Sequence, residues 1–432
     1  MNAGECRAER IIAEIKDRLN MQQEHVKRTI EDIRNDFPLL IKEPTAYLDN
    51  AATAHKPASV LKAEEEFYVN HNANPMRGFY PLSIEATDIY ENARKEVMAF
   101  IGAASEREIV FTRNATESLN LVAYSYGLSN IKVGDEIVVA ISEHHSNMLP
   151  WQMVARVTGA ELKYLECSTD GSYTDEEIEK VIGEKTKLVA IAQVSNVLGR
   201  SNPLKKIIQR VHVNGGVVVV DASQSIPHMQ VDVKDMDADF LVFSGHKLLG
   251  PMGIGVLYGK EELLDAMPPF LTGGEMIDSV RRDGAVYAGL PHKFEAGTVN
   301  AAGAAGLAEA IRYINGIGYD HIKERDELLT QRAIAGLKDI PHVNIIGSDK
   351  AEEHNGIITF TIDDVHPHDI SEILASEGVD IRAGHHCAQP LHDHLKIRST
   401  ARASLMFYNT EEEVDRFLRS VKGVRSKLGW TE

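Results

Sequence analysis

The sequence has little cysteine, no long apolar run and no excess of basic residues. Its 432 residues contain three cysteines, Cys6, Cys167 and Cys387, and a sparse, odd set of this kind does not make a disulfide framework. A reducing cytoplasm is therefore the expected compartment. No apolar run reaches membrane-spanning length, and the first residues lack the apolar core of a signal peptide, so we expect neither membrane insertion nor export.

Charge and apolar content indicate the general class of protein. Acidic residues number 64 against 46 basic ones, and the formal charge of -18 argues against binding to the phosphate backbone of a nucleic acid. Hydrophobic residues make up 43% of the 432 residues, which is enough for a large core in a chain that exceeds the usual size of one domain. We therefore expect a soluble protein of two domains.

The pattern along the chain divides it into three segments. Residues 1–45 are predicted to form an N-terminal helical arm, because apolar residues recur three, four and seven positions apart. The polar face of the arm mixes both signs of charge, which favours packing on the main body over binding to a membrane surface. Residues 46–300 are predicted to form a large domain, and residues 301–432 a smaller α+β domain. The apolar positions of the arm are Ile12, Ile15, Leu19, Val26, Ile30, Ile33 and Phe37.

In the large segment, short apolar runs alternate with helical patterns. This alternation predicts an α/β fold, with a mostly parallel sheet covered by helices on both faces. Ligands of such sheets bind at the carboxyl ends of the strands. The predicted strands are 108–111, 135–141, 162–165, 188–194, 217–220 and 240–243. The predicted helices are 58–70, 82–101, 151–157, 175–182 and 204–213.

Polar side chains follow several of these strands. They are Thr116, His144, Asn196, Asp221 and Lys247. Each one has an ordinary explanation when it is taken alone. Because the carboxyl ends of parallel strands meet at one edge of a sheet, their convergence there is harder to explain by chance, and it predicts a ligand site.

Lys247 follows an apolar run in the stretch SGHKLLGP. A lysine in a strand-end loop is ordinarily solvated, but burial would lower its pKa and leave a neutral amine able to condense with a carbonyl. Asp221 has an ordinary explanation too, as the N-cap of the next helix. Together, the amine and the carboxylate suit pyridoxal phosphate, with Lys247 forming the Schiff base and Asp221 pairing with the pyridinium nitrogen.

The remaining polar residues complete a cofactor site in this hypothesis. His144 would stack on the ring, and Gln224 would hydrogen-bond the ring oxygen. The phosphate would be held by Thr116, Ser244 and His246. The strand, polar turn and helix start around Thr116 form a geometry that binds anions, although a plain helix N-cap explains the same residues.

Cys387 lies in a glycine-containing loop beside His385 and His386. A nearby positive charge would favour the thiolate, the nucleophilic form of the side chain. A zinc site is the rival interpretation, because histidines are dense in this part of the chain. No C-x-x-C pair occurs, and adjacent histidines on a strand point to opposite sides, so zinc is disfavoured. The histidines concerned are His366, His368, His385, His386, His392 and His394.

Several strings of this sequence, in order, resemble the pyridoxal-phosphate-dependent cysteine desulfurases of the SufS type. The resemblance runs from about residue 45 to the C-terminus. It implies the fold type I, aspartate-aminotransferase-like architecture of the aminotransferase class V enzymes, and a homodimer. The strings are YLDNAAT, EHHSNMLPW, VSNVLG, VDASQ, SGHKLLGP, FEAGTVN, RAGHHCAQP and ARASLMFYN.

The resemblance also implies a role for each candidate residue. Lys247 moves the Cα proton of L-cysteine, and Cys387 attacks the substrate sulfur, which gives a persulfide and releases alanine. Arg402, which by itself is equally a carboxylate clamp or a surface ion pair, holds the substrate. The implied substrate-binding residues are Asn196, Arg402 and Arg77. The implied cofactor-binding residues are Thr116, His144, Asp221, Gln224, Ser244, His246, Lys247 and, from the partner subunit, Thr298.

Two further strings indicate the branch of the family and the type of sulfur acceptor. The loop 382–390 has the R-x-G-H-H-C-A-x-P form of the SufS branch, whereas the other branch has a longer loop. The string DDVHPHD resembles the subfamily that passes sulfur to a zinc-containing SufU-type acceptor, in which a histidine at the position of His368 displaces a cysteine of the acceptor from zinc. A SufE-type acceptor is the other expected partner. Alternatively, His368 only caps the helix that starts at Asp369.

Three functions therefore compete. The first is a cysteine desulfurase that supplies sulfur for iron–sulfur cluster assembly. The second is a selenocysteine lyase or another class V enzyme, which would share every cofactor residue. The third is a metal-binding or scaffold protein, which would leave Asp221 and Lys247 unexplained. The phosphate turn also departs from the family, since Asn114-Ala115 precedes Thr116 where glycine is frequent, so only Thr116 is carried over.

Overall fold

The computed structural model of this chain describes residues 28–430. The part of the predicted arm before residue 28 lies outside this range. Two short helices, Ile30–Arg34 and Pro38–Lys42, open the described chain. Ile33 and Phe37 are fully buried there, so this part of the arm packs on the main body through its apolar positions.

Helices account for much of the described chain. The longer ones are Ala58–Asn70, Pro81–Phe100, Leu149–Thr158, Leu204–Val213, Ala301–Ile317, Tyr319–Lys338, Pro367–Ser376 and Glu411–Lys427. The shorter ones after residue 45 are Ala115–Leu121, Leu128–Asn130, Asp175–Val181, Val233–Met236, Glu261–Ala266 and Gln389–His394. Between residues 28 and 430, no helix combines the length and the apolar character that a membrane span requires.

The strands of the described chain are numbered β1 to β15 in chain order. Those of the first half are β1 Ala46–Tyr47, β2 Ile109–Thr112, β3 Glu136–Ala140, β4 Glu161–Leu165, β5 Thr186–Ala192, β6 Val217–Asp221 and β7 Phe240–Ser244. Those of the second half are β8 Gly255–Gly259, β9 Ile277–Arg281, β10 Gly284–Tyr287, β11 Val343–Ile346, β12 Ile357–Ile362, β13 Val379–Asp380, β14 Arg382–Gly384 and β15 Thr400–Ser404.

A seven-stranded sheet in the order β2-β8-β7-β6-β5-β3-β4 forms the centre of the molecule. The strand pairs from β4 through β7 are parallel, and β8 is antiparallel to both β7 and β2. Every residue of β3, β6 and β7 is buried, as continuous apolar strands in a sheet covered on both faces require. The predicted fold class is confirmed.

The β structure that was not predicted comprises β15, in a segment singled out only for Arg402, together with β8 and the β9–β10 hairpin. Strand β8 has glycine at both ends, and glycine is depleted in strands, so its pattern is weak. The β9–β10 hairpin is mostly exposed, and its sequences IDSVR and GAVY lack the alternation of a half-buried strand. Strand β8 and the hairpin therefore depend on their neighbours more than on local sequence signals.

The small-residue helix Ala301–Ile317 belongs with the large sheet by its packing. It contacts helices Ala58–Asn70 and Pro81–Phe100, and its buried residues join the largest hydrophobic cluster. A Cβ at Gly306 would lie 2.4 Å from Cγ of Pro251, so this close approach requires glycine. The domain boundary near residue 300 stays a prediction, and this packing favours a boundary at Gly318.

The smaller unit is an antiparallel sheet in the order β11-β12-β15-β14, flanked by helices Tyr319–Lys338, Pro367–Ser376 and Glu411–Lys427. The start of the large segment crosses to it, because β1 pairs in parallel with β13. Ala46 and Leu48 are buried in the core of this unit, and Asp49 bridges to Ser404. The crossing brings Asp49 beside β15, at the border between the two units.

Candidate active site

A cavity of 510 Å³ opens at the carboxyl ends of the sheet strands, where the smaller unit meets the large sheet. Most of the predicted site residues line it. Those that do are Thr116, His144, Asn196, Asp221, Gln224, Ser244, His246, Lys247 and Arg402. The convergence expected from the strand ends is therefore present in the tertiary structure.

Lys247 ends the turn Gly245–Lys247, directly after β7. The turn is tight, and a Cβ at Gly245 would lie 2.8 Å from Cγ2 of Ile254, so only glycine fits there. Burial lowers the pKa of Lys247 to about 8, against the opposing attraction of the Asp221 carboxylate. A fraction of this amine is therefore neutral near pH 7 and able to act as a nucleophile or base.

Asp221 is the last residue of β6 and is 8% exposed. Its Oδ1 accepts a hydrogen bond from the backbone N–H of Ser223 at 2.9 Å. Next to it in the cavity, Gln224 donates through Nε2 to the carbonyl oxygen of Ala51 at 3.0 Å. The carboxyl group therefore faces the cavity from the centre of the sheet.

His144 follows β3 and begins a short turn. Its Nδ1 accepts a hydrogen bond from the backbone N–H of Ser146 at 3.1 Å. Burial, reinforced by the nearby Lys247, lowers the pKa of His144 to about 3, so the ring is neutral and carries its proton on Nε2. A neutral imidazole of this kind offers a flat aromatic face to the cavity.

At one end of the cavity, hydroxyl groups and an imidazole come together. Oγ1 of Thr116 and Oγ of Ser146 are hydrogen-bonded at 2.7 Å, and Ser244 accepts from the backbone N–H of Ala115 at 2.9 Å. Burial lowers the pKa of His246 to about 4, and its buried Nδ1 has no hydrogen-bond partner among residues 28–430. An unpaired buried polar atom is costly, which indicates that a ligand completes this end of the cavity.

Arg402, on β15, is 1% exposed. Its Nη1 donates to the carbonyl oxygen of Asn196 at 2.8 Å, and its Nη2 donates to Oδ1 of Asp49 at 3.1 Å. Its Nε is buried without a partner in the described chain. The side chain is therefore a buried cation with an unused donor, and the simpler interpretation as a surface ion pair is wrong.

The Cys387 loop closes the cavity from the smaller unit. His386 and Cys387 have φ angles of 51 and 57 degrees, so two successive non-glycine residues adopt the left-handed conformation. The carbonyl oxygen of Cys387 accepts from the backbone N–H of His145 at 2.7 Å. Nη2 of Arg382 donates to the sulfur of Cys387 at 3.7 Å, which places a positive charge against the candidate nucleophile.

The histidines near Cys387 have partners other than a metal. Nε2 of His386 and Nε2 of His392 both contact Oγ1 of Thr400, at 2.9 and 3.0 Å. His394 reaches the carbonyl oxygen of Cys167 at 2.7 Å. Within residues 28–430, no three His, Cys, Asp or Glu side chains are grouped in a way that could hold a metal ion. Hydrogen bonds therefore account for His386, His392 and His394.

Cys387 is not itself among the lining residues of the cavity, although Arg382 and His386 of its loop are. Three other predicted residues lie away from the cavity of this chain. Nε of Arg77 donates to Oε2 of Glu275 at 2.7 Å on the surface. Thr298 is exposed. His368 is exposed in the helix Pro367–Ser376, and the cap of that helix is His366, whose Nδ1 accepts the backbone N–H of His368 at 3.2 Å. The alternative in which His368 caps the helix is therefore wrong.

Some residues at the site were not predicted. Arg382 lines the cavity beside Cys387, and Asp49 holds Arg402. Both lie inside strings that carry the family resemblance, so that signal could have found them. Glu143 is fully buried behind the cavity and accepts from the backbone N–H of Ala192 at 2.7 Å. Burial raises the pKa of Glu143 to about 8.

Comparison with known proteins places this architecture in a family. A model of the aminotransferase class-V family matches residues 46–417, and the chain belongs to this family. A protein of Halalkalibacterium halodurans described as a probable cysteine desulfurase is 46% identical over 402 residues, 92% of this chain and 98% of that protein. One of Synechocystis with the same description is 48% identical over 395 residues, 90% of this chain and 94% of that protein.

Solved structures agree with these relatives. The apo structure of cysteine desulfurase from Thermococcus onnurineus NA1 is 43% identical with a TM-score of 0.89, covering 93% of this chain and 99% of that chain. The cysteine desulfurase CsdA from Escherichia coli is 37% identical with a TM-score of 0.86, over the same shares of the two chains. The chain therefore has the fold of a cysteine desulfurase over nearly its whole length.

Proposed function

We propose that the protein is a cysteine desulfurase. The reaction breaks the Cβ–S bond of L-cysteine, forms a bond between that sulfur and the sulfur of Cys387, and releases L-alanine. The thiol of Cys387 and the substrate together supply the atoms of alanine and of a persulfide, so no outside oxidant is needed. The observation that carries this proposal is that Lys247, Asp221 and Arg382 line one cavity, and that Arg382 contacts the sulfur of Cys387.

The cofactor in this proposal is pyridoxal phosphate, and the residues present fit it. The cavity offers an amine of lowered pKa, a buried carboxylate and a neutral imidazole face. Its walls also contain buried polar atoms that lack a partner among residues 28–430: Oγ of Ser223, Nδ1 of His246, Nδ1 of His386 and Nε of Arg402. When bound, the cofactor supplies an electron sink that stabilises negative charge at Cα of the substrate.

Each cavity residue has a role in this proposal. Lys247 binds the cofactor and then takes and returns the proton at Cα of the substrate. Asp221 pairs with the ring nitrogen, His144 covers the ring face, and Gln224 bonds the ring oxygen. The residues that hold the phosphate are Thr116, Ser244 and His246.

Arg402 and Cys387 act on the substrate itself. The buried guanidinium of Arg402, with its free Nε donor, binds the substrate carboxylate, and Asn196 lies beside it. The Cys387 sulfur is the nucleophile, and Nη2 of Arg382 donates to it. The role proposed for Arg77 in substrate binding requires a change from its present pairing with Glu275.

The proposed assembly is a homodimer. Thr298 is exposed on this chain and reaches a phosphate in the proposal only across a subunit interface. Met252, which lines the cavity, and Leu271 are large apolar side chains that are exposed on this chain, and a subunit interface would cover such side chains. We also propose a cytoplasmic location, because Cys167 and Cys387 are free thiols and suit a reducing compartment.

We further propose that the persulfide passes to a SufU-type or SufE-type acceptor that serves iron–sulfur cluster assembly. The exposed His368 suits a contact with a zinc-containing acceptor of the SufU type. His368→Ala should leave basal alanine formation unchanged and abolish its stimulation by such an acceptor. Stimulation equal to that of the wild type would remove His368 from the transfer step.

The function is tested by alanine formation from L-cysteine with the purified, cofactor-loaded protein. Cys387→Ala should abolish it, whereas Cys167→Ala, which removes a buried thiol away from the cavity, should not. L-selenocysteine is assayed in parallel. Alanine formed from selenocysteine alone, or formation from cysteine that is indifferent to Cys387, would assign the protein to the lyases and refute the persulfide step.

A further inference from the structure

A single hydroxyl group, that of Thr400, contacts two buried histidines behind the Cys387 loop. Thr400 opens β15 and is fully buried. Nε2 of His386 lies 2.9 Å from its Oγ1, and Nε2 of His392 lies 3.0 Å from the same atom. At its other nitrogen, His392 contacts the carbonyl oxygen of Ala388 at 3.1 Å. His386, Thr400, His392 and Ala388 are called the Thr400 chain below.

The positions of the protons in the Thr400 chain follow from its end at Ala388. A carbonyl oxygen can only accept, so Nδ1 of His392 carries a hydrogen and donates it. Burial lowers the pKa of His392, so its ring is neutral and Nε2 is an acceptor. The hydroxyl of Thr400 therefore donates to His392.

The position of the proton on His386, at the other end of the Thr400 chain, follows from this. Because its single proton goes to His392, the Thr400 oxygen accepts from His386, whose hydrogen lies on Nε2. The competing acceptor for the Thr400 hydroxyl, the carbonyl oxygen of Gly384, is farther away at 3.4 Å. Donation runs in one direction along the chain, from His386 through Thr400 to His392 and on to Ala388.

The two ends of the Thr400 chain, His386 and Ala388, are the residues on either side of Cys387. His386 and Cys387 hold left-handed φ angles of 51 and 57 degrees, which L residues with side chains adopt only when their surroundings hold them there. The large sheet contributes two of the necessary contacts. Nδ2 of Asn196 donates to the carbonyl oxygen of His386 at 2.7 Å, and the backbone N–H of His145 donates to that of Cys387 at 2.7 Å.

The Thr400 chain contributes the contacts from the opposite side. It fixes the ring of the residue before Cys387 and the carbonyl group of the residue after it. Among the described residues, this is the one linked set of side-chain hydrogen bonds that reaches both His386 and Ala388. We propose that Thr400 and His392 are positioning residues, which hold the Cys387 loop in the conformation that places its sulfur against Arg382 of the cavity wall.

This inference rests on the proposed role of Cys387 as the nucleophile. Thr400→Val keeps the shape of the side chain but removes the hydroxyl, and Thr400→Ser keeps the hydroxyl as a matched control. Thr400→Val should lower kcat for alanine formation by about 10- to 100-fold, the loss expected when a reacting atom is misplaced by about 1 Å. KM should change by less than about threefold, because the carboxylate clamp is untouched. Thr400→Ser should restore kcat.

A second measurement separates this inference from the proposed function. The rate at which iodoacetamide alkylates Cys387 is followed by mass spectrometry of the peptide that contains it, and needs no turnover. It should change severalfold in Thr400→Val and return to the wild-type value in Thr400→Ser. If wild-type protein forms no alanine but the alkylation rates differ in this way, the proposed function fails and the positioning role stands.

His392→Phe provides a variant with a ring of similar size in case Thr400→Val does not fold. It removes both nitrogens, and the Thr400 hydroxyl can turn to the carbonyl oxygen of Gly384. The expected loss of kcat and the change in alkylation rate are the same as for Thr400→Val. Wild-type kcat and alkylation rate in either folded variant would overturn the inference, and so would an equal loss in Thr400→Ser.

Discussion

Nη2 of Arg382 donates a hydrogen bond to the sulfur of Cys387 at 3.7 Å. The donor lies on β14 and the sulfur in the left-handed turn that follows it, so one short stretch of chain carries both the nucleophile and its counter-charge. A guanidinium stays protonated at every pH of interest, so it keeps a positive charge beside the sulfur. The reactivity of Cys387 is therefore expected to depend on Arg382.

Removing this cation should slow the reactions of Cys387. Arg382→Met keeps most of the side-chain volume but removes the charge and the hydrogen bond to the sulfur, and we expect alkylation of Cys387 by iodoacetamide at pH 7 to fall about tenfold. Arg382→Lys retains a positive charge and should keep part of the rate. Alkylation of Cys387 in Arg382→Met at the wild-type rate would show that the guanidinium does not act on the sulfur.

The lowered pKa of Lys247 predicts a pH dependence for the cofactor-free protein. With a pKa of about 8, the neutral amine increases as the pH rises through 8 and is nearly complete by pH 9 to 10, whereas an ordinary lysine is still mostly protonated there. The rate of condensation with pyridoxal phosphate, followed by absorbance, should rise through pH 8 and then level off.

Lys247→Ala is the control for this experiment, because it removes the amine and should remove the pH-dependent phase. Lys56, whose pKa is also lowered to about 8 by burial, remains in this variant. A rate in wild-type protein that continues to climb to pH 10 would contradict the lowered pKa of Lys247. A pH-dependent phase that survives in Lys247→Ala would assign the condensation to another amine.

Shortening the carboxylate clamp should affect binding more than turnover. Arg402→Lys keeps a charge but cannot reproduce the fork of donors that contacts Asn196 and Asp49, so KM for L-cysteine should rise about 10- to 100-fold. Arg332→Lys, at an exposed ion pair with Asp415, is the matched control and should leave KM unchanged. An unchanged KM in Arg402→Lys would place the substrate carboxylate elsewhere.

A buried ion pair away from the cavity should contribute more to the free energy of unfolding than an exposed ion pair does. Arg94 is fully buried, and its Nη1 and Nη2 donate to the two carboxylate oxygens of Glu295 at 2.7 and 2.9 Å. Glu295→Gln removes the buried carboxylate, so that Arg94 keeps only its ion pair with the partly exposed Glu91, and it should lower the free energy of unfolding by about 3 kcal/mol in urea titrations. Glu261→Gln, at an exposed pair with Arg107, should change it by less than about 1 kcal/mol.

Local signals predicted the regular elements well where burial follows a simple period. Helix Leu204–Val213 has the predicted bounds, because its buried residues recur at helical spacing on one face. The prediction missed β8, because the glycines at its two ends weaken the strand pattern, and it missed the exposed β9–β10 hairpin. In both cases the strand forms because of the partner beside it rather than because of its own residues.

The candidate site was predictable as a set of strand-end residues but not as a geometry. Lys247 and Asp221 follow strands of one parallel sheet, so the topology alone brings them together. The partners of Arg402 could not be read in the same way. Asp49 reaches it because β1 crosses to pair with β13, and that pairing joins segments more than three hundred residues apart in the sequence.

The sequence by itself determined the α/β class, the polar residues that follow the strands, and the family resemblance. These depend on local periodicity and on the order of residue types along the sequence. Only the tertiary structure decided how Cys387 is held. The Thr400 chain joins residues of a loop, a helix and a strand, and its hydrogen bonds form only because packing brings these buried groups together. Local sequence patterns do not predict such contacts, because the contacts depend on distances between residues in the folded protein.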